Sequence, residues 1–400
     1  MTIDTRAEFG PSADSGPGVA LGSAAIEFAL PDELSATAPP EARGLTRDAV
    51  RLMVADGPAL THARFRELPS FLRPGDLVVV NNSAMITAAV DTECGGEPAV
   101  LHFSTWLDDG GWVVEVRDPR GIPWGGSALK PGAYLPLPDG HVAVLRAPWL
   151  AGSSRLWIAD VPATIGDAPE GGAADVRRLL ARHGRPITYS YVAERWSASY
   201  YRTVFGIEPG SAEMASAGRP FTESLVTELV AGGVGFAPIT LHTGVSSPET
   251  GEPPSPERFA VLEMTARLVN ATHAAGGRVA AVGTTVTRAL ETAADADGLV
   301  RPMAGWTELV LSADRPARVV DGLITGWHAP GASHLHLLES VVGGEVVSGF
   351  FPGCLAGGAG NVNCLVGLVG GVLGGETYRV ALESGYLWHE FGDAALLFRN

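Results

Sequence analysis

Arg278-Val-Ala-Ala-Val-Gly-Thr-Thr-Val-Thr-Arg-Ala-Leu-Glu291 reads as a buried strand that ends in a small polar turn and opens a helix. Val279 to Val282 form an apolar run, Gly283 permits close backbone approach, and Thr284 or Thr285 can cap a helix whose first turn carries Arg288. A strand passing directly into a helix is the repeating unit of an α/β fold, and ligands of such sheets bind beyond the carboxyl ends of the strands. Unpaired amides and a guanidinium at that place suit a carboxylate or a phosphate. The local pattern is equally compatible with an ordinary strand-to-helix turn.

Working upstream, a first structured unit runs from about Ala25 to Ala88 and contains the apolar strand Asp76-Leu-Val-Val-Val80, which delivers Asn81 and Asn82. Two adjacent amides at a strand end can hydrogen-bond a ribose or a base edge, or simply cap a turn. From Ala89 to Asp160 the pattern changes. Leu101 to Trp106, Trp112 to Arg117, Tyr134 to Leu137, Val142 to Leu145 and Arg155 to Ile158 are short β-rich runs separated by Gly, Pro and Asp. They predict a small antiparallel β-barrel domain, residues 89–160, inserted into a main α/β domain made of residues 25–88 and 161–400.

Beyond a Gly/Pro/Ala linker, Ala174 to His183 predicts a helix on which Arg177, Arg178 and Arg182 cluster near Arg185. This is the chain's best candidate for an RNA-phosphate patch, and it is also what a solvated helix face looks like. The aromatic group Tyr189, Tyr191, Trp196, Tyr200 and Tyr201 can stack bases or fill a core; the core reading is favoured for most of them.

The balance of 28 basic against 44 acidic residues, a net charge of -16, excludes a protein that coats nucleic acid by bulk charge. Any RNA contact must be local. Lys130 is the sole lysine, so phosphate recognition falls to arginines. Cys94, Cys354 and Cys364 are too few and too irregularly spaced for a disulfide framework or a zinc site, which fits a reducing cytoplasm. Residues 1–24 read as a disordered leader rich in Gly, Pro and Ser, with no secretory signal. Val346 to Gly375 carries no charged side chain over 30 residues, long enough to span a membrane. Its many glycines argue instead for a flexible Gly-rich insertion within the main domain.

Three segments, in order, carry a resemblance to a known family: Val282-Gly-Thr-Thr-Val-Thr-Arg288, Thr325-Gly-Trp-His-Ala-Pro330, and Phe391-Gly-Asp-Ala394. They are similar to the Val-Gly-Thr-Thr-Ser-Val-Arg turn, the Thr-Asn-Phe-His-Leu-Pro loop and the Tyr-Gly-Asp-Ala ending of the S-adenosylmethionine:tRNA ribosyltransferase-isomerase family of queuosine biosynthesis. Phe28 to Leu34, Leu68 to Asn82 and Tyr201 to Phe205 also have counterparts in the expected order. The family pattern Gly-Ser-Val-Ala-Ala-Pro-Thr-Ala-Gly-Leu-His-Phe-Thr agrees at Gly210, Ser211, Ala217, Gly218, Phe221 and Thr222, but Pro220 replaces its histidine. Two family arginines are lost near Ala84 and Ala89, and Gly331 stands where the family has lysine.

The resemblance implies transfer and isomerisation of the ribosyl part of S-adenosylmethionine onto the aminomethyl group of a 7-deazaguanine base in tRNA. Adenine and methionine are released. S-adenosylmethionine is then a co-substrate, with no bound cofactor and no metal. It implies His328 as the proton-transfer residue, with His242 as second choice. Asn81, Asn82, Gly218, Thr222, Gly283, Thr284, Thr285 and Arg288 would line the S-adenosylmethionine site, and Glu390 or Asp393 would hold an ammonium or a ribose hydroxyl. The missing cations leave two rivals open: a small deazapurine acceptor in place of tRNA, and a non-catalytic homologue that binds a nucleoside or RNA. His328, His334 and His336 with Glu339 match no recognised zinc spacing. A cytoplasmic monomer without a membrane span is expected.

Overall fold

A computed structural model of the chain describes residues 28–57, 59–150, 155–162, 173–188, 191–192, 194–245, 253–342 and 374–399. The leader, the Gly-rich stretch up to residue 373 with Cys354 and Cys364, and Tyr189 lie outside the described residues.

The chain opens with strands β1 (Arg51–Asp56), β2 (Ala59–Arg64), β3 (Leu77–Asn81) and the short β4 (Ser83–Met85). Six strands follow: β5 (Ala89–Cys94), β6 (Glu97–Trp106), β7 (Trp112–Arg117), β8 (Tyr134–Pro136), β9 (Val142–Pro148) and β10 (Leu156–Asp160). The rest are β11 (Glu208–Ser211), β12 (Gly235–His242), β13 (Glu257–Val261), β14 (Val279–Val282), β15 (Met303–Thr307), β16 (Gly322–Gly326) and β17 (Ala394–Phe398). The helices are α1 (Ala173–His183), α2 (Glu223–Ala231), α3 (Glu263–Ala274), α4 (Thr284–Thr292), α5 (His334–Val342) and α6 (Gly374–Glu383).

Nine strands make the main sheet in the order β15-β13-β12-β3-β14-β16-β17-β1-β2. Its centre, β12-β3-β14-β16, is parallel. Such strands are buried on both faces, which is why β3 reads Leu-Val-Val-Val and β14 reads Val-Ala-Ala-Val without alternation. The pleat divides them: Leu77, Val79, Val279 and Ala281 pack under α3 to α6, whereas Val78, Val80, Ala280 and Val282 pack under α2 and the 3-10 turn at Phe65–Ser70.

The second sheet, in the order β5-β6-β7-β10-β9-β8, is antiparallel throughout. The Thr92 hydroxyl donates to the Pro136 carbonyl at 2.7 Å, joining its two edge strands into a nearly closed barrel. The barrel core is completed by Val176, Leu179 and Leu180 of α1. The fold is therefore α/β with a small antiparallel barrel, as read from the strand spacing. Strand β5 went unrecognised in the sequence, because Asp91 and Glu93 alternate with short residues and leave little apolar signal.

Barrel and main sheet meet beside the ends of β12 and β13. The Val245 amide donates to Ser104 at 2.8 Å, the Trp306 indole donates to Asp108 at 3.1 Å, and Arg258 lies between the Trp106 and Trp306 rings at 5.1 and 4.9 Å. These contacts set the barrel over the carboxyl edge of the sheet.

Candidate active site

The chain turns at the carboxyl ends of β12, β14 and β16 enclose a cavity of about 320 Å³. Loops after β11 and before β17 close it, and the barrel adds Arg155. A small adjoining pocket shares Ser216, Thr325, His389 and Glu390 with it and reaches Asp393.

One wall is the β14–α4 turn. Gly283 has φ 93° and ψ 160°, a conformation open to glycine, and an added Cβ would lie 3.3 Å from that of Ala217. This sharp turn sets Thr284 and Thr285 at the start of α4 on the cavity wall. The first amides of a helix lack intrahelical acceptors and carry the positive end of its dipole, so this end of the cavity suits an anion. The Arg288 guanidinium is not free to add to it. It is buried in an ion pair with Glu257 and also donates to the carbonyls of Leu309 at 3.1 Å, Ser255 at 3.2 Å and Thr307 at 3.3 Å. Its expected role at a substrate carboxylate gives way to one of tying α4 to β13 and the loops beside it.

The other wall holds groups whose ordinary charge is suppressed. His328 follows β16, its Nε2 3.0 Å from the Thr325 hydroxyl, and its ring stacks on His334 at 4.5 Å and 3°. Burial, aided by the neighbouring histidines, holds His328 well below its usual 6.5, so the ring is neutral near pH 7. Burial likewise brings His334 and His389 down to about 4.

His389 has φ 72°, a left-handed backbone that costs a non-glycine residue about 1–2 kcal/mol. Asp393 holds this turn, its two carboxylate oxygens accepting from the Arg51 amide at 2.7 Å and the Leu387 amide at 2.8 Å. The His389 ring stacks on Tyr191 at 4.1 Å and 16°, and the Tyr191 hydroxyl donates to Glu390. Burial raises the Glu390 carboxyl to about 7, Tyr191 opposes the rise, and the negative charge of nearby Glu213 adds to it.

A family model described as "Queuosine biosynthesis protein" matches residues 23–355. The chain belongs to that family. An S-adenosylmethionine:tRNA ribosyltransferase-isomerase from Symbiobacterium thermophilum is 32% identical over 93% of this chain and 98% of its own length. One of the same name from Gloeobacter violaceus is 31% identical over 93% of this chain and 94% of its own. A solved structure of an S-adenosylmethionine tRNA ribosyltransferase from Thermotoga maritima is 26% identical, covering 94% of this chain and all of that one, with a TM-score of 0.48.

Several positions shared with the queuosine family pattern build the scaffold around the cavity. Gly210 leaves room for His242, since a Cβ there would lie 2.5 Å from the ring. His242 is outside the cavity: its Nδ1 is 2.8 Å from the Ser83 hydroxyl, which pairs with Ser211 at 2.6 Å, and burial takes it to about 4. Asn81 bridges β3 to β12, donating to the Leu241 carbonyl at 2.9 Å and accepting from its amide at 3.0 Å; Asn82 accepts from Thr240 at 2.7 Å. Thr222 caps α2 by accepting from the Leu225 amide at 3.2 Å, and Gly218 packs beside Phe205. None of His242, Asn81, Asn82, Thr222 and Gly218 lines the cavity.

Of the residues read from the sequence, the structure brings together Gly283, Thr284, Thr285, Arg288 and His328, with Asp393 bracing the wall from the adjoining pocket. Arg177, Arg178 and Arg182 are exposed on α1, away from the cavity; Arg178 pairs with Asp175, and Arg182 lies 3.9 Å from Asp139. Sequence reading missed Glu213, His389 and Thr243. A signal existed for Glu213, which stands at an alanine of the quoted family pattern.

Proposed function

We propose that the chain transfers and isomerises the ribosyl part of S-adenosylmethionine onto 7-aminomethyl-7-deazaguanine in tRNA, giving epoxyqueuosine with release of adenine and methionine. The observation that carries this reading is the end-to-end likeness to relatives of that name, 32% identical over 93% of this chain and 98% of the relative. The cavity supports it chemically. The α4 amides at Thr284 and Thr285 receive the methionyl carboxylate, because a helix start offers donors and positive potential without a bound counter-ion. Neutral His328 takes the proton acidified by the neighbouring sulfonium. Arg288 is a positioning residue here, and Asp393 acts through the turn that carries His389 and Glu390.

Among the described residues no helix is long and apolar enough to cross a membrane. Our reading is of a cytoplasmic monomer, as suits an enzyme that works on S-adenosylmethionine and tRNA. RNA contact falls to the exposed arginines of α1. A small deazapurine acceptor is the second reading, favoured by the net charge of -16 and by the cations replaced at Ala84, Ala89 and Gly331.

Incubation with S-adenosylmethionine and tRNA bearing the aminomethyl base tests this. Release of adenine and methionine that requires that tRNA is the expected result. Release with the free base but not with tRNA establishes the second reading. Tight binding without release would make the chain a non-catalytic binder.

A further inference from the structure

We infer that Glu213 and Glu390 form an acidic seat for the protonated aminomethyl group of the acceptor base. The inference rests on the transferase reading above and assigns its acceptor subsite. Both residues line the cavity, and the Tyr191 hydroxyl donates to the Glu390 carboxylate. The stacked rings of Tyr191 and His389, 4.1 Å apart, put a planar surface directly beside it. An amine carried one carbon off a flat heterocycle needs a carboxylate next to an aromatic face.

The cavity also contains polar groups that ask for a ligand. The Thr243 hydroxyl and the Trp327 indole N–H have no hydrogen-bond partner among the described residues, although these side chains are only 7% and 1% exposed. Buried donors and acceptors are normally satisfied, so unmatched ones lining a cavity mark where a bound molecule completes the network.

Two cationic amines enter this reaction, and their chemistry separates them. The methionyl ammonium sits on the same carbon as its carboxylate, so it stays near the start of α4. The aminomethyl group belongs to the planar partner and matches the Tyr191–His389 surface. With the cavity empty, burial and the Glu213 charge favour the protonated Glu390 up to about pH 7. An arriving ammonium supplies a counter-charge that favours the ionised form of Glu390. Glu213 stands at an alanine of the family pattern, in a chain that has also lost cations at Ala84, Ala89 and Gly331. The charge balance of this member has shifted from the acceptor's phosphates toward its amine.

The test uses the full-length protein. Calorimetry compares free 7-aminomethyl-7-deazaguanine with its uncharged 7-cyano analogue. Wild type is expected to prefer the amine by roughly tenfold to a hundredfold, the range of one or two charge-assisted hydrogen bonds. Glu213→Ala and Glu390→Gln should bring that preference to about unity and raise KM for the acceptor by a similar factor, with S-adenosylmethionine affinity unchanged as the control for folding. Glu213→Gln replaces the alanine variant if the latter does not fold. Variants that keep the amine preference, or that lose S-adenosylmethionine affinity instead, would overturn the seat. Because binding is read without turnover, a wild-type protein that shows the preference but releases no adenine refutes the transferase reading and leaves the seat standing.

Discussion

On the α4 wall of the cavity the cation is already matched: Arg288 is closed off by Glu257 and three carbonyls, and what faces a ligand is backbone at Thr284 and Thr285. The wall formed by Tyr191, Glu213, His389 and Glu390 is of another kind. Burial takes the His389 ring down to about 4, and burial with the neighbouring Glu213 charge takes the Glu390 carboxyl up to about 7. The first wall is finished by the fold, whereas the second is the one we propose receives the acceptor. An arginine of a motif can therefore be architecture, held by a buried glutamate and three carbonyls.

Substitutions that remove the internal match of the first wall should have the largest effect. Arg288→Ala leaves the Glu257 charge buried alone and should cost about 3–5 kcal/mol in chemical denaturation. A variant of unchanged stability with weak S-adenosylmethionine binding would mean that Arg288 serves the substrate instead. Asp393→Ala strips acceptors from the Arg51 and Leu387 amides, and about 2–3 kcal/mol should be lost together with adenine release. Gly283→Ala places a side chain at φ 93° and 3.3 Å from the Ala217 Cβ. A loss of about 1–2 kcal/mol should result, smaller because the neighbour is a methyl group.

The second wall should show itself through pH. Glu390 titrates in the folded chain at about 7, above its usual 4.5, so its stabilising contribution is full below 4.5 and is lost as pH rises through 7. Glu390→Gln should be more stable than wild type above that window and equal to it below. The histidines run the other way. With His334 and His389 at about 4 against a usual 6.5, their contribution is present above 6.5 and lost as pH falls through 4. Denaturation midpoints across that range separate the two; a Glu390→Gln advantage that does not change with pH would show that the second wall is as settled as the first.

Much of this architecture was legible because parallel strands are continuous apolar runs: Leu77 to Val80 and Val279 to Val282 announce themselves, as does the turn at Gly283. The turn's position on the cavity followed from that local pattern and the family motif, as did that of His328. The partners of Arg288 did not follow. Glu257 lies 31 residues upstream on another strand, and nothing local distinguishes an arginine facing a ligand from one facing a buried glutamate. Asn81, Thr222 and His242 lie off the cavity for a related reason, since a polar residue at a strand end serves a cap or an interstrand clip as readily as a substrate. Glu213 and Glu390 are separated by most of the C-terminal half of the sequence, and only the fold puts them on one cavity.

The most direct test of the account is the nucleoside content of tRNA bearing 7-aminomethyl-7-deazaguanine after incubation with the protein and S-adenosylmethionine, digested and read by mass spectrometry. The account predicts conversion of the aminomethyl nucleoside to the epoxy-cyclopentanediol product in step with adenine release. An unchanged nucleoside beside intact S-adenosylmethionine, with the protein folded and saturated, would contradict it.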